Sequence, residues 1–420
     1  MSPQITTWII AALATAGVIV RPFGLPEAIW AVGGAALLIV LHLIAPQDAL
    51  TGVGKGVDVY LFLTGMMLLS EIARQEGLFD WLAAYAARRA RGSASRLFLL
   101  IYAVGALVTT FLSNDATAVV LTPAVAAAVK AAKVDQPLPY LLICAFIANA
   151  ASFVLPISNP ANLVIYGAHM PPLLQWATRY LLASALSIVA TYLVLRWTQR
   201  AALGQKVASE VALPPLSGAG KTAALGIAAT AIVLLIASAL DTQLGLPTAI
   251  AGAVTAAIVL IRERKGPWTT VKDISWSVLP LVAGLFVLVE ALDKTGLIAS
   301  IGALLREEAP RSAAATAWVA GIAVALASNL MNNLPAGLIA GSAVHSADVP
   351  DQVTRAILIG VDIGPNLSVT GSLATILWLT ALRREGLRVG AWTFLKLGAL
   401  VTPPALLLAI GASLLFGGGQ

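Results

Sequence analysis

Long runs of apolar residues recur along the whole chain and are separated by short polar turns. Runs such as ITTWIIAALATAGVIV from Ile5 and AALGIAATAIVLLIASAL from Ala223 are long enough to cross a bilayer as helices. The first run has no basic leader and no small-residue cleavage site, so it is interpreted as a retained helix. The predicted apolar segments are 5–20, 26–44, 58–73, 97–131, 139–168 and 174–197, followed by 222–240, 247–262, 275–292, 312–345, 353–382 and 391–417.

The two sets of six segments resemble each other and predict an internal repeat. Residues 1–197 form the first half, residues 198–221 a cytoplasmic connector, and residues 222–420 the second half. GMMLLSEIARQEGL from Gly65 aligns with GLFVLVEALDKTGL from Gly284, a shift of 219 residues. Polar positions that match are Asn114 and Asp115 with Asn332 and Asn333, for which a slip of one residue is the alternative register, then Asn159 with Ser372, and Asn162 with Thr375.

The fourth segment of each half is too long for one upright helix. Residues 97–131 would span about 50 Å as a helix, against a hydrocarbon core of about 30 Å. Arg96 at one end and Lys130 with Lys133 at the other indicate that both ends lie on the same side. The segment is therefore predicted to be a re-entrant hairpin with its tip at Ser113–Asp115, and residues 312–345 its counterpart. Such a tip has to be buried in protein or line a cavity.

The fifth segment of each half carries helix-breaking residues near its middle. PISNP interrupts residues 139–168, and SVTGS interrupts residues 353–382. Proline and glycine at these points predict two discontinuous helices.

Composition and charge agree with a membrane protein. Hydrophobic residues make up 59% of the chain and charged residues 11%. The net charge of +6 lies in short loops, so it reflects topology rather than nucleic-acid binding. A path of ten spanning helices with both termini outside places twenty Lys and Arg residues inside and six outside, as the positive-inside rule expects. The predicted fold is all-α and polytopic, with two halves of opposite orientation.

Two hairpin tips and two broken helices in an inverted repeat are the architecture of secondary transporters, which bind solute at the repeat interface. The alternative for any single polar residue is a helix-to-helix hydrogen bond. The clustered set favours a site for a small polyhydroxylated solute or a cation. Its predicted binding residues are Ser113, Asn114, Thr117, Ser158, Asn159, Asn162, Asn332, Asn333, Asn366, Gly371, Ser372 and Thr375.

Asp115 and Asp362 are the acids that this path places deepest. An ionised carboxylate there costs several kcal/mol unless it is paired, so both are predicted to couple transport to proton exchange. The structural alternative is a carboxylate that permanently caps a helix N-terminus. Glu71 and Glu290 lie near the ends of their spans and are interpreted as interface or gating residues.

The remaining candidate chemistry is sparse. Cys144 is the single cysteine, and His42, His169 and His345 are scattered along the chain, so neither a metal site nor a cofactor is predicted. The arginine-rich stretch AARRARGSASR is interpreted as a cytoplasmic anchor that could also dock a partner.

Three motifs together resemble the ArsB-type arsenite and antimonite efflux permeases of the ion transporter superfamily. They are FLSNDATAVVLTP, SNLMNNLPAG and GVDIGPNLSVTGSLATILWL, and the similarity covers nearly the whole chain. The resemblance implies export of trivalent arsenic or antimony hydroxide in exchange for protons, across the cytoplasmic (inner) membrane of a bacterium or archaeon. It also implies partnership with a soluble ArsA-type ATPase. Arsenite is chiefly an uncharged trihydroxide at neutral pH, which suits a site of neutral amides and hydroxyls.

Two other functions are alternatives to arsenite export. A sodium/proton antiporter of the same superfamily would use the same carboxylates and carbonyls. An intramembrane aspartyl protease would use Asp115 and Asp362 as a catalytic pair, but it gives no reason for the repeated asparagines.

Overall fold

The structure is a computed structural model that describes residues 2–167 and 170–416. Within those residues the chain is helical, with one isolated antiparallel bridge and no strand. The chain is therefore an all-α polytopic membrane protein. His169 lies outside the described residues.

Eleven helices form residues 2–198, with the break between residues 167 and 170 left out. They are α1 (Pro3–Val20), α2 (Glu27–Val40), α3 (Pro46–Lys55), α4 (Val57–Gln75), α5 (Leu78–Ala90), α6 (Ala94–Phe111), α7 (Asn114–Ala116), α8 (Thr122–Ala131), α9 (Leu138–Ala150), α10 (Pro160–Tyr166) and α11 (Leu173–Thr198). A π-helical turn, Thr117–Leu121, joins α7 to α8.

The described part of the second half contains ten helices in a similar order. They are α12 (Gly218–Ala239), α13 (Gly245–Glu263), α14 (Trp268–Asp273), α15 (Val278–Lys294), α16 (Leu297–Glu308), α17 (Ala313–Met331), α18 (Asn333–Ala347), α19 (Asp351–Ile363), α20 (Leu373–Arg384) and α21 (Ala391–Phe416). Helices α16 and α17 begin 219 residues after α5 and α6, the same shift that the sequence repeat shows.

Several helices of one half pack on helices of the other half. Helix α4 packs on α13, its repeat counterpart α15 packs on α2, and α11 packs on α21. A Cβ on Gly65 would meet the carbonyl group of Thr248 in α13, and a Cβ on Gly284 would meet the backbone of Ala31 in α2. Both glycines allow two helix backbones to touch, as small residues do between membrane helices.

Seven helices in the described residues are long and apolar enough to cross a membrane, or eight if α3 and α4, bent by 47°, count as one span. Helices α2 and α9 are apolar but shorter. Helices α6 and α17, expected as hairpin arms, contain 18 and 19 residues, about 27 Å, and each can cross most of the core alone. The count of ten crossings stays a prediction.

The expected topology can be tested with single cysteines in a Cys144→Ala background. Gln243, just before α13, and Ser275, just after α14, are both exposed. We expect Ser275→Cys to react with a membrane-impermeant thiol reagent from the cytoplasmic face and Gln243→Cys from the outer face. Labelling of both residues from one face would contradict the predicted path.

Candidate functional site

The first interruption lies at the predicted hairpin tip. Helix α6 ends at Phe111, and the backbone is extended at Ser113 before α7 begins. The Oγ atom of Ser113 accepts a hydrogen bond from the backbone N–H of Ala116 at 3.2 Å. Oδ1 of Asn114 accepts one from the N–H of Asp115 at 2.9 Å. Ser113 and Asn114 therefore satisfy N–H groups that the start of a helix leaves without partners.

The second interruption uses the repeat-related residues. Asn332 lies between α17 and α18 with φ +76° and ψ 153°, a backbone conformation that residues with a side chain rarely adopt. Its Oδ1 atom accepts a hydrogen bond from the N–H of Leu334 at 3.3 Å. The N–H of Asn333 donates to the carbonyl of Gly371 at 2.9 Å, which joins this tip to the broken helix α19–α20.

The two broken helices restart in the same manner. Oδ1 of Asn159 accepts from the N–H of Ala161 at 3.0 Å at the start of α10. Oγ of Ser372 accepts from the N–H of Ala374 at 3.2 Å at the start of α20. Four helix N-termini therefore begin with a Ser or Asn cap, and each N-terminus carries partial positive charge.

A small cavity lies where these four N-termini meet. Its volume is about 40 Å³, whereas a single water needs roughly 10–15 Å³ by this measure. Helices α1, α4 and α15 supply an apolar wall, and no Lys, Arg or His of the described residues lines it. The polar lining consists of Asn114, Asp115, Asn159, Asn332, Asn333 and Ser372. The cavity therefore suits a small, uncharged, hydrogen-bonding solute.

A larger cavity of about 570 Å³ lies next to the small one and shares the lining residues Leu63, Asp115, Pro160 and Val278 with it. Asp115 lines both cavities, and Ser113 lines the larger one. Helices α4 and α20 both line it, and Arg74 and Arg384 from their last turns are among the lining residues. We call this larger cavity the vestibule. The small cavity is thus approached from the end that carries the basic last turns of α4 and α20.

Asp362 is fully buried in the last turn of α19 and does not line the small cavity. One of its carboxylate oxygens accepts a hydrogen bond from the side-chain amide of Asn159, which does line that cavity. The other oxygen is buried and makes no hydrogen bond of ordinary geometry within the described residues. Neither Asp362 nor Asp115 is a helix N-cap.

Several predicted binding residues hold the interrupted backbone instead of facing the cavity. Oγ1 of Thr117 lies 2.8 Å from that of Thr109 in α6. Ser158 donates to the carbonyl of Thr110 at 3.0 Å, and Asn162 donates to that of Ser152 at 2.9 Å. These three side chains stabilise the breaks near α6 and α10.

The other three predicted binding residues belong to the second broken helix. Asn366 donates to the carbonyl of Phe146 at 3.0 Å and accepts from the side chain of Asn149 at 3.0 Å. Gly371 allows a close backbone approach, and Thr375 is fully buried. Asn366 therefore ties the broken helix α19–α20 to α9 of the other half.

Two asparagines outside the predicted set also hold the site. Asn149 is the partner of Asn366, and Asn329 donates to the carbonyl of Gly364 at 2.9 Å while accepting from Ser368 at 2.7 Å. Asn329 stands one helical turn before the tip in SNLMNNLPAG, and that spacing was the signal that could have identified it.

Glu71 and Glu290 belong to two sets of ion pairs, each of which includes a contact between the halves. Glu71 bonds Arg74, and Arg74 reaches Asp273 of the second half at 2.9 Å. Lys55 of the first half reaches Glu290 at 2.6 Å. Both glutamates are buried at the junction of the halves.

No cluster of three or more His, Cys, Asp or Glu side chains in residues 2–167 and 170–416 is suited to a metal ion. Cys144 is fully buried in α9, among apolar neighbours.

The fold and the site together define a multi-pass membrane transporter, and comparisons with known proteins agree. The family model described as CitMHS, citrate transporter, matches residues 8–360. The arsenical pump membrane protein of Escherichia coli K12 is 25% identical over 406 residues, covering 94% of this chain and 95% of that protein. An uncharacterized transporter of Mycobacterium tuberculosis is 26% identical and covers 90% of this chain and 91% of its own length.

Two solved structures share the fold. The YdaH transporter of Alcanivorax borkumensis has a TM-score of 0.57 at 18% identity, with 99% of this chain and 98% of that one covered. MtrF of Neisseria gonorrhoeae, an antimetabolite efflux pump, has a TM-score of 0.54 at 14% identity, with coverage of 98% and 94%.

The chain belongs to the CitMHS family of membrane transporters. The resemblance to ArsB-type permeases is confirmed by relatives that carry the arsenical pump name. Because the family and the relatives are membrane transporters, the hypothesis of an intramembrane aspartyl protease has no support. The chain is a transporter and not an enzyme.

The packing at Gly371 leads to a stability prediction. A Cβ there would lie 2.5 Å from Cα of Pro365 and 2.7 Å from Oδ1 of Asn329. We expect Gly371→Ala to lower the free energy of unfolding by about 1–3 kcal/mol, because the backbone would have to move apart. Thermal unfolding in detergent would measure this.

Gly33→Ala is the matched control, because nothing in the described residues lies within 4 Å of its Cβ. Equal melting temperatures for the Gly371→Ala variant and this control would show that the close approach does not matter.

Proposed function

We propose that the protein exports trivalent arsenic, as the neutral trihydroxide arsenite, and the corresponding antimony hydroxide in exchange for protons. The observation that carries the proposal is the small cavity formed by four capped helix N-termini. Its polar lining is neutral except for Asp115, and that same residue also lines the vestibule. The relatives named arsenical pump membrane protein support the choice of solute.

The cavity offers both hydrogen-bond donors and hydrogen-bond acceptors, and a trihydroxide can use both. The cap oxygens of Asn114 and Asn332 are occupied by backbone N–H groups, which leaves their amide N–H groups to donate. The side chain of Asn333 makes no hydrogen bond within the described residues and lines the cavity. Each hydroxyl of arsenite both donates and accepts, so amides and the Asp115 carboxylate complement it.

Citrate fits the small cavity poorly, although the matching family model carries its name. Three carboxylates would meet the carboxylate of Asp115, without an Arg or Lys among the described lining residues. Burying such charges without partners costs far more than burying hydroxyls that find hydrogen bonds. The volume of about 40 Å³ also favours the smaller solute.

Transport would follow by alternating access, with the two tips and the two broken helices moving together against the remaining helices. Protons would load Asp115 or Asp362 from outside and leave inward as arsenite binds. The vestibule opens at the end predicted to be cytoplasmic, which is the side from which an exporter has to load. Residence in a bacterial or archaeal inner membrane and partnership with a soluble ArsA-type ATPase belong to the same proposal.

A sodium/proton antiporter remains the second candidate, and one observation favours it. Oδ1 of Asn149, Oδ1 of Asn162 and one carboxylate oxygen of Asp362 are buried without hydrogen-bond partners within the described residues. Unpaired oxygens of this kind are ligands for hard cations.

The coupling roles can be tested by Asp115→Asn and Asp362→Asn. We expect each to reduce arsenite uptake into everted vesicles, driven by a pH gradient, to near background, because amides cannot exchange the proton. Asp241→Asn, an exposed acid between α12 and α13, is the control and should transport normally. Unchanged transport in both site variants would remove the coupling roles. Uptake that requires sodium would favour the antiporter.

Solute selectivity gives a separate prediction. In liposomes that contain the purified protein and an imposed pH gradient, antimonite should compete with arsenite and citrate should not, because the described cavity lining offers no basic residue. Strong inhibition by citrate, or its accumulation, would contradict the proposed solute without affecting the fold.

A further inference from the structure

Exposed basic side chains gather at one end of the protein, where three segments meet. Residues 88–96, 130–135 and 196–210 carry nine Lys and Arg, all exposed, against two acids, Asp135 and Glu210. We call these nine side chains the basic rim. Transport of solute, as proposed above, makes no use of them.

Backbone contacts unite the three segments into one surface. Lys206 forms an antiparallel bridge with Ser93 at the start of α6. The N–H of Ala208 donates to the carbonyl of Ala132, just after α8, at 2.8 Å. The side chain of Gln205 contributes as well, since its Oε1 atom accepts a hydrogen bond from the N–H of Asp135 at 3.0 Å. The connector between the halves therefore lies across the base of α6 and α8.

The charge of the rim is not paired within the part of the chain that the structure describes. None of the nine side chains forms a salt bridge in the described residues. At the repeat-related turn of the second half, Arg311 bonds both Glu307 and Glu308. The positive-inside rule explains why cations lie at one end, but it does not explain why three separate segments bring unpaired ones together.

Aromatic side chains indicate the depth of the rim in the membrane. The guanidinium of Arg89 lies 5.1 Å from the ring centre of Tyr85, and that of Arg200 lies 5.7 Å from that of Trp197. Both rings are exposed. Exposed Tyr and Trp are enriched at the membrane–water interface, and Trp197 lies in the last turn of the candidate span α11, so these rings favour a position of the rim at headgroup level.

We propose that the basic rim binds the headgroups of anionic phospholipids in the adjacent leaflet. Unpaired cations at headgroup depth attract negatively charged lipid, and a soluble acidic protein would instead need cations that project beyond that level. Bound lipid would hold the connector against the base of α6 and α8. This proposal does not depend on which solute the protein carries.

The test compares lipid retention and melting temperature for the full-length protein in neutral detergent. The three additions are phosphatidylglycerol, phosphatidylcholine and inorganic phosphate. We expect native mass spectrometry to show preferential retention of phosphatidylglycerol and an upward shift in melting temperature with that lipid alone. An equal shift with inorganic phosphate, or equal retention of both lipids, would overturn the proposal.

The variant R88Q/R89Q/R91Q should lose most of the retained phosphatidylglycerol and most of the shift. R262Q/R264Q/K272Q is the matched control, because it removes three exposed cations of the same predicted side outside the rim and should behave as wild type. R88K/R89K/R91K preserves the charge and should keep the lipid.

Loss of lipid in the lysine variant, or its full retention in the glutamine variant, would contradict an electrostatic site. Polyglutamate, added in a separate sample, stands in for an acidic protein. If the protein binds polyglutamate and shows no preference for phosphatidylglycerol, the lipid proposal is overturned in favour of an acidic protein partner.

Discussion

Backbone groups at the four helix interruptions have to find hydrogen-bond partners without water or lipid to supply them, and the rest of the structure depends on this constraint. Ser113, Asn159, Asn332 and Ser372 each satisfy an N–H group at the start of a helix. Because all four breaks are stabilised locally, their N-termini can meet around an open space. The backbone geometry of the four breaks therefore creates the site, and the side chains that line it supply its chemistry.

The two halves solve the same structural problem with different residues. Ser113 and Asn332 occupy equivalent caps, and so do Asn159 and Ser372, although the amino acids differ. The charge is not repeated, since the 219-residue shift that relates Ser113 to Asn332 places Leu334 opposite Asp115. The caps are therefore repeated in position in the two halves, whereas the acid that lines the cavity is present in the first half only.

Sequence alone located the interruptions well, because proline, glycine and clustered polar residues are conspicuous in apolar helices. It could not separate side chains that face the cavity from those that hold the break. Thr117, Asn162 and Asn366 bond the backbone or other side chains, whereas Asn333 faces the open space. Once a helix is broken, its 3.6-residue period no longer predicts which way the next residues point. Asn149 and Asn329 were missed because they lie within regular helices and find partners far away in sequence.

The contacts that cross between the halves have a consequence for biosynthesis. Helix α4 packs on α13 of the second half, and Arg74 and Lys55 form ion pairs with Asp273 and Glu290, which also belong to the second half. When the ribosome has made only the first half, the partners of these residues do not yet exist. The first half of the nascent chain must then keep Lys55 and the α4 face around Gly65 uncovered until the second half has been inserted, so the final fold can close only late in synthesis.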